Sequence, residues 1–520
     1  MNIYKYLYIC CALAVPASLS AQGLADALRF NRNDVVGTAR SQAMGSAFGA
    51  LGADLTATVI NPAGLGVYRA TELGLTLGVN VINNESNYFG NKLKEDRVRV
   101  PFSQMGVAFC NGLMRDETQG LVSSTFYVGY NRLANYASRE QYADPMAYNS
   151  LLDYFCTAEQ SNAAMTGTLA YNAYLINDAD DMKGVSYNVW ENYLGSGVVD
   201  DTYRYDSADK SGLVSINKKI KTGGSKGDIS FAYAANISQK VFIGGSLDII
   251  TYSYEETSLH QEFFDRFTTD ANAPTNFSYR SYLDQDGAAI NFKLGVIVRP
   301  INQLRIGFAL HSPQFFNITE NYHAEINNPN GNLYGLTSNT LKTDDFEYEY
   351  RFRSPSRFIA SIAGVVGKVG IISVDYERSN DSRSKFSAKS DDILDSSDQL
   401  AIDNLNTQLQ DNILKATNTI RVGVEVSALQ PLYLRAGLRY KTSPVNSDYY
   451  YTKPQDYAIS GGVGFRHNNF FADLTYVGAT RKADHWVLPD SAEPYIYETN
   501  VPASLTTHTH SGLLTVGFRF

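Results

Sequence analysis

The sequence predicts an all-β membrane protein: an antiparallel transmembrane β-barrel of about 14 strands with an N-terminal segment lodged in its lumen. Three observations carry this reading. The chain opens with an apolar leader, it runs as a period-two strand to its last residue, and short connections alternate with long ones in between.

Lys5 is the only charge in the leader. Apolar residues run from Tyr6 to about Leu19, and Ser20, Ala21 and Gln22 follow, with small residues where a peptidase needs them. Residues 1–21 therefore read as a signal peptide, with cleavage after Ala21 or, alternatively, after Ser20. Cys10 and Cys11 invite a lipoprotein reading, but Ile9 is too large for that cleavage pocket. A helical span needs about 20 consecutive apolar residues, and none follows the leader; mean hydropathy is −0.24. The 520 residues suit either several soluble domains or one large closed sheet. The 36 Tyr and 26 Phe favour strands, and Tyr suits a membrane–water boundary. Net charge is −9 and becomes one unit more negative without Lys5, which argues against a nucleic-acid partner. Only Cys110 and Cys156 follow the leader. An oxidising periplasm permits a disulfide, but so placed they read as unpaired. There is no C-x-x-C and no zinc spacing, so no cofactor is expected.

At the other end Leu514, Val516, Phe518 and Phe520 alternate with Thr515, Gly517 and Arg519. That is a strand with one apolar face. It resembles the closing strand of outer-membrane barrels, whose terminal aromatic is read by the barrel-assembly machinery. Phe518 and Phe520 are the assembly signal this resemblance implies.

Between the ends, segments of alternating hydrophobicity long enough to span lie near 71–82, 100–111, 119–134, 227–238, 241–258, 285–299, 303–322, 345–366, 370–379, 417–428, 432–445, 456–466, 470–481 and 506–520. Their number is even, as single-chain barrels require. Connections at 238–240, 300–302, 367–369, 429–431 and 467–469 are short, and those between are long, the largest at 135–226. Short periplasmic turns and longer outer loops explain that alternation. The stretches 145–176 and 398–415 carry helical spacing, readable as lids or as loop decoration.

Residues 22–70 do not read as a strand. Small residues dominate Gly45-Ser46-Ala47-Phe48-Gly49-Ala50-Leu51-Gly52-Ala53-Asp54, and Asn61-Pro62-Ala63-Gly64-Leu65 follows just before the first strand at 71. Such a segment can pack closely against other backbone. Together with the final strand, it resembles the N-terminal hatch of FadL/TodX-type outer-membrane transporters.

The resemblance implies several things. The barrel takes up hydrophobic molecules passively, of the long-chain fatty acid or aromatic hydrocarbon class. Asn61, Pro62, Ala63, Gly64 and Leu65 are hatch residues beside an inward kink of the third strand, and residues near Gln22 reach the ligand pocket. Release is sideways through the wall, with Gly129 the residue in 119–134 most able to bend. The pocket should be lined by Phe, Tyr, Leu and Met with few polar contacts. Outer-membrane lipid and lipopolysaccharide surround the protein, which is monomeric by family precedent.

Pro313 and Pro355 suggest a second wall opening, because they fall at similar heights on adjacent strands and proline cannot donate to a ladder. The alternative is that both mark the rim of the sheet. His508 and His510 share a face but lack the further ligands of a metal site. His311 should face the lumen, and no phosphate loop or His–Ser pair on one face occurs, so no enzyme is expected. Three readings compete: a plugged channel for hydrophobic solutes, an open pore or receptor for a ligand such as haem, and a structural or adhesion barrel.

Overall fold

The computed structural model describes residues 23–112, 119–147, 150–152, 154–155, 165–178, 186–188, 214–264, 276–366, 369–389, 396–429, 431–449, 451–488 and 501–520. The leader, Gln22 and Cys156 lie outside them.

Fourteen strands close into one antiparallel barrel. They are β1 (Glu72–Tyr88), β2 (Phe102–Gly112), β3 (Leu121–Asn135), β4 (Val214–Ile237), β5 (Val241–Phe264), β6 (Asn276–Ile301), β7 (Leu304–His311 with Phe315–Asn327), β8 (Phe346–Arg353 with Arg357–Val366), β9 (Gly370–Asn380), β10 (Ala416–Leu429), β11 (Leu432–Lys441), β12 (Gln455–His467), β13 (Phe470–His485) and β14 (Ala503–Arg519). The last strand pairs with the first from Glu72↔Arg519 to Asn87↔Ser504, so no edge is left between them. Phe520 donates its N–H to the Thr71 carbonyl, and Arg519 pairs with Glu72 at 2.7 Å.

The faces are the reverse of a soluble protein's. On β1, Leu73, Leu77 and Val79 are exposed, while Glu72, Gly74, Thr76 and Gly78 turn inward and are buried. This suits a hydrocarbon exterior. No helix among the described residues is long and apolar enough to cross a membrane.

The strand set agrees with the sequence reading in number and order, but several strands are longer. β4 starts at Val214 instead of 227, β5 runs on to Phe264, and β6 begins at Asn276. Much of the expected loops is therefore ladder that rises beyond the membrane. Apolar alternation marks a strand only where one face meets lipid. Outside it, Lys219, Lys221 and Thr222 pair as well as any residue. The helical stretches appear as α4 (Met165–Asn172) and α5 (Ser396–Thr407) in outer connections.

Both prolines interrupt their ladder. His311 pairs with Arg357 and Phe315 with Arg353. Between them the seam is bridged by Ser354 N–H to the Gln314 carbonyl (3.0 Å) and Gln314 N–H to Ser354 Oγ (2.9 Å). Each strand carries an extra residue here, so Leu310 and Phe315 both face out although five apart.

The segment ahead of β1 folds as three short helices, α1 (Leu24–Asn31), α2 (Ala39–Ala43) and α3 (Ala57–Ile60), and a 3₁₀ turn (Pro62–Val67). It touches strands all round the barrel. Ala39 N–H donates to Thr515 Oγ1 on β14, Gly49 N–H to Asp375 on β9, and Asn61 Nδ2 to the Val296 carbonyl on β6. Lys226 of β4 donates to the Phe30 carbonyl, and Ser460 of β12 to the Ala43 carbonyl. Only a segment inside the lumen can meet all these walls.

Candidate functional site: the lumen plug and its aromatic chamber

The small residues of the plug let backbone approach wall. Gly45 adopts φ +62°, and a Cβ added at Gly437 of β11 would stand 2.0 Å from its nitrogen. Gly437→Ala must therefore move backbone, at a cost of about 1–3 kcal/mol. The expected result is a displaced plug, read as increased entry of a polar dye into whole cells with barrel assembly unchanged.

Asn61, Pro62, Ala63, Gly64 and Leu65 are all buried. Asn61 Oδ1 caps the 3₁₀ turn by accepting from Ala63 N–H (3.1 Å), and its Nδ2 donates to the Gly49 carbonyl (2.7 Å). Glycines in the wall make room for this stretch: a Cβ at Gly295 would lie 1.9 Å from Asn61 Oδ1, and one at Gly244 would lie 2.5 Å from the Pro62 carbonyl oxygen. The resemblance implied a place beside the third strand. In this chain Leu65 does pack in one cluster with Tyr127 of β3, the stretch also sits against β5 and β6, and α3 reaches β3 as well, where Asn131 Nδ2 donates to Thr58 Oγ1 (3.3 Å).

Gly129 is not a bend. It pairs with Gly106 on one side and Ser230 on the other. Its missing side chain makes room for Tyr127, whose hydroxyl would lie 2.2 Å from an added Cβ. The register instead shifts between Arg132 and Ala134. There β3 has left β2, whose pairing ends at Gln104↔Asn131. The plug takes β2's place: Asp34 N–H donates to the Leu133 carbonyl (2.6 Å) and Val36 N–H to the Arg132 carbonyl (3.1 Å). Val35 between them has φ +47°, a costly conformation for a β-branched residue. Burial works against the Asp34 charge, yet Arg32, Arg481 and Arg439 hold its carboxyl well below the usual range.

Above this seam lies the feature the sequence reading missed. Phe30 of α1 is fully buried among Tyr252, Phe316, Tyr350, Phe352 and Phe386, with ring centroids 4.9–6.4 Å away. These aromatics face inward at every second position of outer strand segments. Many other inward positions are small or polar, with single large ones such as Tyr127 and Phe242, so the consecutive inward pairs Tyr252/Tyr254, Phe316/Ile318 and Tyr350/Phe352 were a readable signal. The chamber is apolar but filled by the chain itself. It is also more polar along one side than expected. Gln285 accepts from Arg29 and from Tyr252 Oη, and donates to Glu320 and Asp26. Burial pushes the Asp26 carboxyl up, offset in part by Arg29. An apolar hollow of about 420 Å³ lies elsewhere, on the lipid-facing wall beside Phe126, Phe231, Gly245 and Phe292.

Below the chamber the lumen is ionic. Glu425 receives a two-pronged contact from Arg40 (2.9 and 3.1 Å) and one from Arg435 (2.7 Å), which also reaches Asp473 (2.5 Å). Lys293 joins Asp228 (2.6 Å) and Asp248 (3.2 Å), and Arg421 joins Glu377 (2.6 Å). All are inward and almost wholly buried.

Other singled-out residues are ordinary. His311 does face the lumen and donates Nε2 to the Ile60 carbonyl (3.0 Å). His508 and His510 face outward and bond Thr480 and Tyr476. Among the described residues no cluster has the makings of a metal site. Cys110 is free, with Sγ toward the Tyr68 carbonyl.

A closed barrel of this size, apolar outside and plugged inside by its own N-terminal segment, is a transport protein of the outer membrane. The chain belongs to the outer membrane protein transport family (OMPP1/FadL/TodX), whose sequence model matches residues 16–468. That is a family of transport channels and not of enzymes. No curated protein matches. Solved structures share the fold at low identity. A Pseudomonas aeruginosa FadL homologue is 12% identical with a TM-score of 0.54, covering 94% of this chain and 100% of its own. The P. putida toluene transporter TodX is 11% identical with a TM-score of 0.51, covering 94% and 99%. A mutant of the TodX monoaromatic hydrocarbon channel is 11% identical with a TM-score of 0.53, covering 93% and 98%.

Proposed function

We propose that the protein carries hydrophobic molecules, of the long-chain fatty acid or aromatic hydrocarbon class, past the polar outer leaflet and releases them sideways into the membrane. The observation that carries this is Phe30. An apolar side chain of the plug already occupies an aromatic chamber, and an apolar cargo gains by displacing it, at roughly 25 cal/mol per Å² buried. The ionic floor argues for sideways release, because a straight path would separate buried charge pairs. The route we favour is the seam between β2 and β3, closed by Asp34–Val36. As α1 leaves the chamber, that stretch follows and Leu133 loses its cover. The interrupted ladder at Pro313 and Pro355 is a second, weaker place for an opening.

The P. putida relative is a toluene transporter, and an aromatic or alkyl cargo suits the chamber equally. Recognition of Phe518 and Phe520 by the assembly machinery completes the reading. So does a monomeric barrel in lipid and lipopolysaccharide, since a closed sheet needs no partner for its edges.

The test is binding of a fluorescent apolar probe to the purified barrel. Phe30→Ala removes the internal occupant and should tighten binding about tenfold or more, since a competent state populated more often binds proportionately better. Unchanged or weaker binding by a folded variant would remove the chamber from the route. Mass spectrometry of co-purified lipid then names the cargo.

A further inference from the structure

The outward face of β8 and β9 changes character abruptly. Ile362 and Phe358 on β8, and Val374 and Tyr376 on β9, are exposed to hydrocarbon. Beyond the exposed Ser356, the next outward positions away from the short turns are Arg353 and Arg351 on β8, and on β9 the next is Arg378, all exposed. Lys385 joins them from the short strand Lys385–Ala388, which continues the wall above β9 and pairs with β8.

Two features set this patch apart. Arg353 lies directly opposite Lys385 in the ladder, and both side chains face out. Like charges so opposed repel unless something anionic lies between them. The patch also lacks acids of its own. Among the described residues Arg351, Arg353 and Lys385 have no ion-pair partner, and Arg378 bonds only the Asn418 amide oxygen (3.3 Å). Glu349, the next outward residue up β8, is taken by Lys389 (2.5 Å). In a chain of net charge −9, four neighbouring cations without carboxylates are against composition.

We propose that this patch is a docking site for lipopolysaccharide on the outer leaflet. Arg351, Arg353, Arg378 and Lys385 hold its phosphate groups, and its acyl chains lie on the apolar band beneath. The short turns place the patch on the outer side of the membrane, at the height where lipid phosphates sit. Guanidinium groups match phosphate geometry. The occupant is taken as the lipid and not a free anion because the cations stand directly above hydrocarbon-facing residues. This inference requires the outer-membrane location only, and is independent of the cargo.

The experiment uses the full barrel in detergent, with lipopolysaccharide retention followed by native mass spectrometry and titration. Each cation near an anionic lipid contributes about a fivefold factor, so Arg353→Gln with Lys385→Gln should weaken binding roughly 25-fold. Lys389→Gln, which removes a paired cation nearby, should leave it unchanged. Both replaced side chains face outward, so the variants should keep the heat-modifiable gel mobility of a folded barrel. Dephosphorylated lipopolysaccharide should bind poorly to the native protein. Three results would each overturn the site: wild-type retention by the double variant, equal loss in Lys389→Gln, or undiminished binding of the dephosphorylated lipid. Displacement by inorganic phosphate at the same concentration as the lipid would show a free-anion site, and would also overturn it.

Discussion

Joining Asn31 to Ser384 should abolish uptake. Asn31 Nδ2 donates to Ser384 Oγ at 2.7 Å, so the two side chains meet, and a disulfide between cysteines at these positions, its formation confirmed by mass spectrometry, would replace that contact. The bond would pin α1 with Phe30 in the chamber and Asp34–Val36 across the β2–β3 seam. A plug that must leave the chamber cannot then do so. Cells expressing the Asn31→Cys/Ser384→Cys variant should take up an apolar substrate at background rate, and a reductant should restore it. The single variants should transport normally in oxidant and reductant alike. Full uptake by the oxidised double variant would mean that cargo passes without moving α1.

Arg435→Ala should have the largest effect on stability. Arg435 bridges Glu425 and Asp473 in the lumen, and all three are nearly inaccessible to water. Removing the cation leaves Asp473 without its partner and Glu425 with Arg40 alone. Breaking a buried network from one side typically costs about 3–5 kcal/mol. Urea unfolding of the barrel in detergent should show a loss of that order. Arg435→Met combined with Asp473→Asn should recover most of it, because the remaining carboxylate keeps its two-pronged bond to Arg40. If the combined variant is as unstable as Arg435→Ala, the loss comes from packing and not from stranded charge. Failure of both to reach the membrane would place the network in assembly.

Strands that face lipid are marked in the sequence by the membrane itself. Leu73, Leu77 and Val79 alternate with Gly74, Thr76 and Gly78 because one side meets hydrocarbon and the other a crowded lumen. That is why strand number, order and closure could be read from residues alone. The upper parts of β4, β5 and β6 could not. Above the membrane both faces tolerate polar residues, and pairing there depends on a neighbour already in register. Gly129 shows the same limit from another side. A glycine in a strand signals a missing side chain, and the reason lies in a neighbour: Tyr127 needs the space, while the chain bends at Leu133.

The sequence by itself determined that the chain is a barrel with a small-residue plug ahead of its first strand. Periodicity, turn spacing and the ends are local properties, written in consecutive residues. Only the tertiary structure decided what the plug does there. Phe30 lies more than two hundred residues from Tyr252 and some three hundred and fifty from Phe386, and it meets them because a closed sheet brings distant strands around one lumen. The same closure sets Arg40 against Glu425 and Asp34 against Arg481. Charge balance inside a barrel is a property of the ring, and no stretch of sequence carries it.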